Sequence, residues 1–545
     1  MTSQPRPVSD AAPGAFVPAV TLYDTTLRDG SQGEGINFSV ADKVHIAQRL
    51  DAFGMHYIEG GWPGSNDKDI EFFQRMSEVQ LAGAKLAAFG STRRANVAVE
   101  DDPQVKLLVE AGTPVVTLVA KSWLLHVEHV LRTTPEENLE MIRESVAYLK
   151  SLGREVILDA EHCFDGHKDE PAYNLECLLA AEAGGADYVV LCDTNGGTLP
   201  DEVAAITAKA VAALRTKVGI HTHDDSGLGV ANALAAVGAG AVQVQGVQNG
   251  FGERTGNCNL TTTIANLQLK MGRPVLPEDR LSQLRELSLF IDEMANRRHN
   301  RQLPFVGASA FAHKGGIHVN AVNKLARSYE HIVPEAVGNA RRVLVGELSG
   351  GTNVMMKAQE LGLDLEEKSD VTRRILARIK QLENEGWEFE AADASFEVLV
   401  RRYLENKEDV GQFFELLEYN LDIHKDKAMD FDEAEATVKI SVDGQIEHTV
   451  AEGDGPVNAL DQALRKALRP HFPALDAIKL TDYKVRILDG RLATAARTRV
   501  LIESTDGNRT WSTVGVSDDI IEASWRALRD SFEYKLLKDQ EAAQA

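Results

Sequence analysis

DYVVLCDTNGGTLPDEVAAITAKAVAALRTKVGIHTH, residues 187–223, decides the fold. An apolar, β-branched run ends at Asp193, a Gly-containing turn follows, an alanine-rich stretch opens behind Pro200, and a second apolar run ends in His221-Thr222-His223. Strands buried on both faces read as such continuous apolar runs. Two of them joined by a helical stretch define a parallel β-α-β unit. Pro200 suits a first helical turn, where its missing N–H has no intrahelical partner to lose; Pro135 reads the same way.

The unit recurs on both sides. Strands are predicted at 20–24, 57–61, 85–90, 115–120, 155–161, 187–193, 217–223 and 242–249, with starts roughly 25–40 residues apart. Helical stretches lie between them, among them 41–53, 135–152, 200–215 and 229–239. Eight such units in about 250 residues are what an α/β (β/α)8 TIM barrel requires. An open doubly wound sheet is the competing architecture. It uses fewer strands, and its GxGxxG phosphate loop is absent after Asp24.

Beyond residue 270 the pattern changes to helical segments at 279–298, 369–385 and 397–420, broken by Gly315-Gly316 and Gly350-Gly351. The last stretch repeats itself. Asp443-Gly444 recurs as Asp506-Gly507, Thr449-Val450 as Thr513-Val514, and Ala463-Leu464-Arg465 as Ala527-Leu528-Arg529, at an offset of 63 or 64 residues. Each copy reads as a strand, an Asp-Gly hairpin turn, a second strand and an amphipathic helix. The predicted division is a flexible N-terminal arm (1–19), a catalytic barrel (20–275), helical linker subdomains (276–428) and a C-terminal α+β regulatory or dimerisation domain with a ββα repeat (429–545).

Composition narrows the function. Among 545 residues, 58 Lys and Arg face 82 Asp and Glu, a formal charge of −24. That excludes a sequence-independent nucleic-acid binder, which needs a basic face, but admits a small anionic substrate held by local cations. With 43% hydrophobic and 26% charged residues the chain reads as globular. No apolar run approaches the ~20 residues of a membrane span. Residues 1–20 carry four prolines and no apolar core, so they read as neither a secretory signal nor a transit peptide. Four scattered cysteines without CxxC spacing fit a reducing cytoplasm.

A barrel keeps its chemistry where the strands end. Strand one ends in Tyr23-Asp24-Thr25-Thr26-Leu27-Arg28-Asp29-Gly30-Ser31-Gln32, strand seven in His221-Thr222-His223-Asp224-Asp225, and strand eight is followed by Gly252-Glu253-Arg254-Thr255-Gly256-Asn257. His221 and His223, two apart, point to one side of the pleat. Alone, an HxH is more often a pair of satisfied histidines. Facing Asp29 across the neighbouring strands one and eight, it is half of a divalent-metal site, with Asn257 as a further oxygen donor or support. Two nitrogens with oxygen ligands and no thiolate suit Mn²⁺, Zn²⁺, Co²⁺ or Mg²⁺. Arg28 sets a permanent cation beside the metal, which fits a 2-oxo acid. Thr194, after strand six, is placed to hydrogen-bond its carboxylate, and Glu161, ending strand five, to orient water or relay a proton.

Together, Asp24-Thr25-Thr26-Leu27-Arg28-Asp29-Gly30, His221-Thr222-His223 and Gly252-Glu253-Arg254-Thr255-Gly256-Asn257 resemble the 2-isopropylmalate synthase/homocitrate synthase family, the DRE-TIM metallolyases. The likeness continues through Phe311-Ala312-His313-Lys314-Gly315-Gly316-Ile317-His318 and the terminal repeat, so it spans nearly the whole chain. Within the family, residues 192–200 and 313–322 look most like the long-form citramalate synthases. The resemblance implies condensation of acetyl-CoA with pyruvate and thioester hydrolysis to citramalate and CoA, in isoleucine biosynthesis. It implies metal ligation by Asp29, His221 and His223 with Asn257 at or near the metal, keto-oxygen polarisation by Arg28, carboxylate binding by Thr194 and Glu161 near the reacting groups. His318 and Tyr329 would act as acid–base groups brought in from the following subdomain of a partner subunit in a homodimer or larger homo-oligomer. The terminal repeat implies feedback by isoleucine. One departure bears on the substrate pocket: Leu158-Asp159-Ala160 lacks the aromatic residue that some short-form relatives carry before the glutamate. Alternatives are the same chemistry on 2-oxoisovalerate or 2-oxoglutarate, an acyl-CoA lyase, whose relatives generally stop after the barrel where this chain adds about 270 residues, and a non-catalytic metal-bearing sensor.

Overall fold

The computed structural model describes residues 19–346, 349, 351–366, 369–406, 413–426, 431–488 and 496–544. The arm predicted at the N-terminus therefore lies, but for Ala19, outside the described residues. The chain forms two compact units, one of Met1–Phe311 with Ile332–Ala340, the other of Ala312–His331 with Arg341–Ala545.

In the first unit, eight parallel strands close into a barrel in sequence order: β1 (Thr21–Asp24), β2 (Tyr57–Gly61), β3 (Lys85–Ser91), β4 (Val115–Lys121), β5 (Glu155–Glu161), β6 (Tyr188–Asp193), β7 (Lys217–Thr222) and β8 (Gln243–Gly246). Closure pairs Tyr23 with Gln245 and Asp24 with Gly246. Alternation along the strands fills the barrel with Tyr23, Tyr57, Ala87, Val115, Ile157, Tyr188, Val190 and Cys192. The opposite faces, such as Ile58, Val116, Leu158, Val189 and Val244, join the larger core under the helices. Helix starts follow their caps. Ser39 and Asp42 form a capping box for Val40–Phe53, and Thr134 caps Pro135–Ser151. The eighth strand is shorter than its apolar run because Asn249, at φ 58°, turns the chain.

The second unit holds two-residue parallel strands β9 (Ala312–His313) and β10 (Arg342–Val343), then helices that include Gly316–Lys324, Asp370–Asn384 and Asp393–Leu404. The terminal repeat is real, and larger than its pattern. Strands β11 (Glu415–Asp426), β12 (Phe431–Val442) and β13 (Gln445–Gly453) form one antiparallel sheet, and β14 (Lys479–Ile487), β15 (Thr498–Thr505) and β16 (Thr510–Ser517) the other. Each sheet carries a helix, Pro456–Leu468 or Ile520–Gln544. The copies are thus βββα rather than ββα, and the helix predicted at 397–420 ends at Leu404, its last part being strand β11. Equivalent residues make equivalent bonds: Thr449 Oγ1 donates to the Ala463 carbonyl and Thr513 Oγ1 to that of Ala527, each at 2.8 Å. Both copies share one core, with Val438 and Leu464 beside Val500 and Phe532.

Candidate active site

The loop after β1 is clasped over the barrel mouth by a buried carboxylate. Asp24 accepts the Thr26 backbone N–H at 2.9 Å and the Gln248 side-chain amide at 3.0 Å. Burial pushes its pKa up to about 6. The clasp presents Arg28 and Asp29. Arg28 Nε donates to Glu59 Oε1 at 2.6 Å, its Nη1 lies 3.1 Å from Asp29 Oδ2, and its Cζ sits 3.8 Å from the centroid of the Phe89 ring. Glu59, fully buried, also accepts from Tyr23 Oη at 2.7 Å. Burial opposes the guanidinium charge, but Glu59 and Asp29 more than offset it and raise its pKa. Withdrawing ions from water costs several kcal/mol each, which pairing only roughly recovers, so such a cluster is a poor stabiliser and a good functional candidate.

Asp29, His221 and His223 are all buried, and one ligand atom from each lies within 4.8 Å of the others. Asp29 Oδ2 is 3.4 Å from His221 Nε2. Burial pulls the Asp29 pKa up, yet Arg28 and then the two histidines bring it down to about 2. Burial, with His221 beside it, presses His223 down to about 4, so its imidazole stays neutral. His223 Nδ1 is buried without a hydrogen-bond partner among the described residues. Asn257 joins the cluster because the loop after β8 runs back along the end of β7, with Cys258 N–H donating to the Thr222 carbonyl at 2.7 Å. Gly256 permits that path. Its φ is 104°, and a Cβ there would stand 2.0 Å from the Gly250 carbonyl oxygen. Asn257 Nδ2 donates to Asp29 Oδ1 at 3.3 Å, which leaves its Oδ1 3.1 Å from His221 Nε2. Carboxylate, amide and imidazole lone pairs thus converge, with an orphaned nitrogen nearby. This donor set fits a hard or borderline divalent cation.

Thr194 Oγ1 accepts the His162 backbone N–H at 2.9 Å, so its own hydroxyl hydrogen remains available to an acceptor. Glu161, half-buried, pairs with Lys121. Arg254 binds Asp225 through two nitrogens, at 2.7 and 2.8 Å, and the Thr194 carbonyl at 2.7 Å, tying together the loops after β6, β7 and β8. His318 and Tyr329 belong to the second unit, where their exposed rings lie 4.3 Å apart, and the adjacent buried Glu330 receives Arg341 at 2.6 and 2.7 Å.

Glu59, Phe89, Gln245 and Asp159 escaped the sequence reading. The one signal of Glu59, Gln245 and Asp159 is a polar residue inside a strand that otherwise reads as fully buried, and Phe89 carries none. Asp159 accepts from Gln245 Nε2 at 2.9 Å, and burial lifts its pKa to about 7 against the pull of His221. Below pH 4 the folded and unfolded chains both hold this proton. Between about 4 and 7 the unfolded chain releases it first, so stability falls as pH rises. Asp159→Asn should therefore exceed the parent in stability above pH 7, by on the order of 2–4 kcal/mol, and match it near pH 4. Urea unfolding at the two pH values reads the difference, and an equal offset at both would contradict it.

Residues 19–291 match the HMGL-like family, residues 305–386 the homocitrate synthase post-HMGL domain-like family, and residues 390–536 the LeuA allosteric (dimerisation) domain. An (R)-citramalate synthase of Aquifex aeolicus is 54% identical over 523 residues, covering 96% of this chain and 98% of its own. That of Geobacter sulfurreducens is 51% identical over 522 residues, with the same coverage. The chain belongs to the citramalate synthase family. A probable 2-isopropylmalate synthase of Methanopyrus kandleri, 33% identical over 93% of this chain and 96% of its own, is a more distant relative. Membership of the citramalate synthase family makes the chain an acyltransferase, and the lyase alternative gives way to end-to-end similarity with these synthases. Among the described residues no helix is long and apolar enough to cross a membrane.

Proposed function

We propose that the barrel mouth condenses the acetyl group of acetyl-CoA with pyruvate to give (R)-citramalate, and that Arg28, Asp29, Thr194, His221, His223 and Asn257 form its substrate and cation site. The observation that carries this reading is the convergence of Asp29, His221 and His223 beside a clamped guanidinium. Asp29, His221 and His223, with Asn257 beside them, would hold a divalent cation (Mn²⁺, Zn²⁺, Co²⁺ or Mg²⁺), whose Lewis acidity polarises a keto oxygen.

The charges fit the substrate. Arg28 is one cation against the carboxylates of Asp29 and Glu59, a balance that a divalent ion reverses to a single positive charge, matched by one substrate carboxylate. Thr194 donates its free hydroxyl hydrogen to that carboxylate. Arg28, unable to rotate away from Glu59 and Phe89, stabilises the alkoxide developing at the keto carbon. His318, with Tyr329 beside it, takes a proton from the acetyl methyl group as the acid–base pair, supplied by a partner subunit. The enolate carbon bonds to the keto carbon as the carbonyl π pair moves onto oxygen, the Arg28 guanidinium stabilises that alkoxide until it takes up the proton held by the acid–base pair, and water guided by Glu161 cleaves the thioester to a carboxylate, releasing the CoA thiol. The assembly is a homodimer or larger homo-oligomer in the cytoplasm, with isoleucine as effector of the C-terminal repeat.

Release of CoA thiol, compared among pyruvate, 2-oxoisovalerate and 2-oxoglutarate, tests the assignment. Each extra methylene group is worth about 1–3 kcal/mol of discrimination in a fitted pocket. Pyruvate should be used at least about tenfold more efficiently than either rival, with an (R) product. Faster turnover of 2-oxoisovalerate would overturn the substrate.

A further inference from the structure

His221 turns each ring nitrogen toward an amide oxygen, Nδ1 to Gln245 Oε1 at 2.9 Å and Nε2 to Asn257 Oδ1 at 3.1 Å. A neutral imidazole has one N–H and can satisfy only one of them. The other nitrogen then confronts an oxygen lone pair with its own. What decides between the two lies beyond the ring. Gln245, completely buried on β8 and in register with His221 on β7, is itself anchored, because its Nε2 donates to Asp159 Oδ1 at 2.9 Å. Because the NH₂ end of the amide is engaged by that carboxyl oxygen, Oε1 is the end that faces His221. Asn257 is anchored in the same sense, its Nδ2 being engaged by Asp29 Oδ1 and by the Phe251 carbonyl at 3.2 Å.

With the proton on Nδ1, three lone-pair atoms meet without a hydrogen among them: His221 Nε2, Asn257 Oδ1 and Asp29 Oδ2. With the proton on Nε2, the ring would hydrogen-bond Asn257, and a cation would have to break that bond to enter. We propose that Gln245, oriented by Asp159, is a positioning residue that fixes His221 as the Nδ1–H tautomer and so keeps Nε2 open toward a divalent cation. The proposal rests on the cation reading of Asp29, His221 and His223.

The test is Mn²⁺ titration of the full, chelator-stripped chain, followed by the electron paramagnetic resonance of free Mn²⁺. Gln245→Met keeps the length of the side chain and removes the acceptor. Its Mn²⁺ Kd should rise about 10–100-fold, the usual cost of losing a hydrogen-bond partner behind a metal-binding histidine. Gln245→Glu keeps an oxygen facing Nδ1, a proton shared with Asp159 replacing the amide N–H, and should stay within about threefold of the parent. A reading that needs no variant is the ¹⁵N ring spectrum of His221 in the metal-free parent, assigned by its loss in His221→Ala, which should show Nδ1 protonated. A parental Kd in Gln245→Met, or an Nε2–H tautomer in the parent, overturns the proposal. If His221→Ala also binds Mn²⁺ normally, the cation site itself falls; if His221→Ala loses Mn²⁺ while Gln245→Met keeps it, only the positioning role does.

Discussion

His221→Ala will lose high-affinity Mn²⁺ binding and lower turnover of pyruvate by about 10⁴-fold, equivalent to about 5.5 kcal/mol of transition-state stabilisation. Asp29→Ala should match it. Each substitution removes one of three donors that lie within 4.8 Å of one another, and Asp29→Ala also takes away one of the two carboxylates paired with Arg28. The barrel should survive, because the packed interior of Tyr23, Tyr57, Ile157 and Tyr188 contains neither residue. Calorimetric Mn²⁺ binding, steady-state thiol release and near-UV circular dichroism together separate loss of the site from loss of the fold. Residual activity above a hundredth of the parent's, with Mn²⁺ bound, would contradict the assignment.

Arg28→Lys should cost about 10²–10³-fold in kcat while leaving Mn²⁺ affinity within a few-fold, the scale seen when one preorganised oxyanion donor is removed. The exchange keeps the charge and loses the fork. Nε donates to Glu59 and Nη1 approaches Asp29 while the planar group covers Phe89, and an ammonium cannot make all three contacts from one position. Glu59→Gln should fall on the same side but less far, since its amide oxygen still accepts from Arg28 Nε. A Lys variant as fast as the parent would mean that Arg28 serves only to pair with its neighbours, and the keto-oxygen role would have to move elsewhere.

The difference between these residues is also the difference in how legible they were. Asp29, His221 and His223 stand in polar clusters at strand ends, where a parallel barrel exposes its loops, so their chemistry shows in the chain. Glu59 sits alone in Tyr57-Ile58-Glu59-Gly60-Gly61, and Gln245 alternates with valine on β8. Their partners come from other strands and from the loop after β1, and nothing local announces them. The eight strands were readable because burial on both faces makes them largely apolar. Strands β11 and β14 were not, for a shared reason. Each carries a register shift near its start, between Leu416 and Glu418 and between Leu480 and Asp482. The shift breaks the alternation that continues as Tyr419, Leu421 and Ile423 in one, and as Tyr483, Val485 and Ile487 in the other. In the first copy the charged residues between them then read as a helix carried on from 397. That both copies hide the same strand in the same way is further support for the duplication.

The most direct measurement is an anomalous difference map from crystals of the full chain grown with Mn²⁺. The account predicts a single strong peak at the barrel mouth, about 2.0–2.3 Å from a carboxylate oxygen of Asp29 and from one nitrogen each of His221 and His223. A map with no peak there, or with those three side chains turned away from a shared centre, would contradict it.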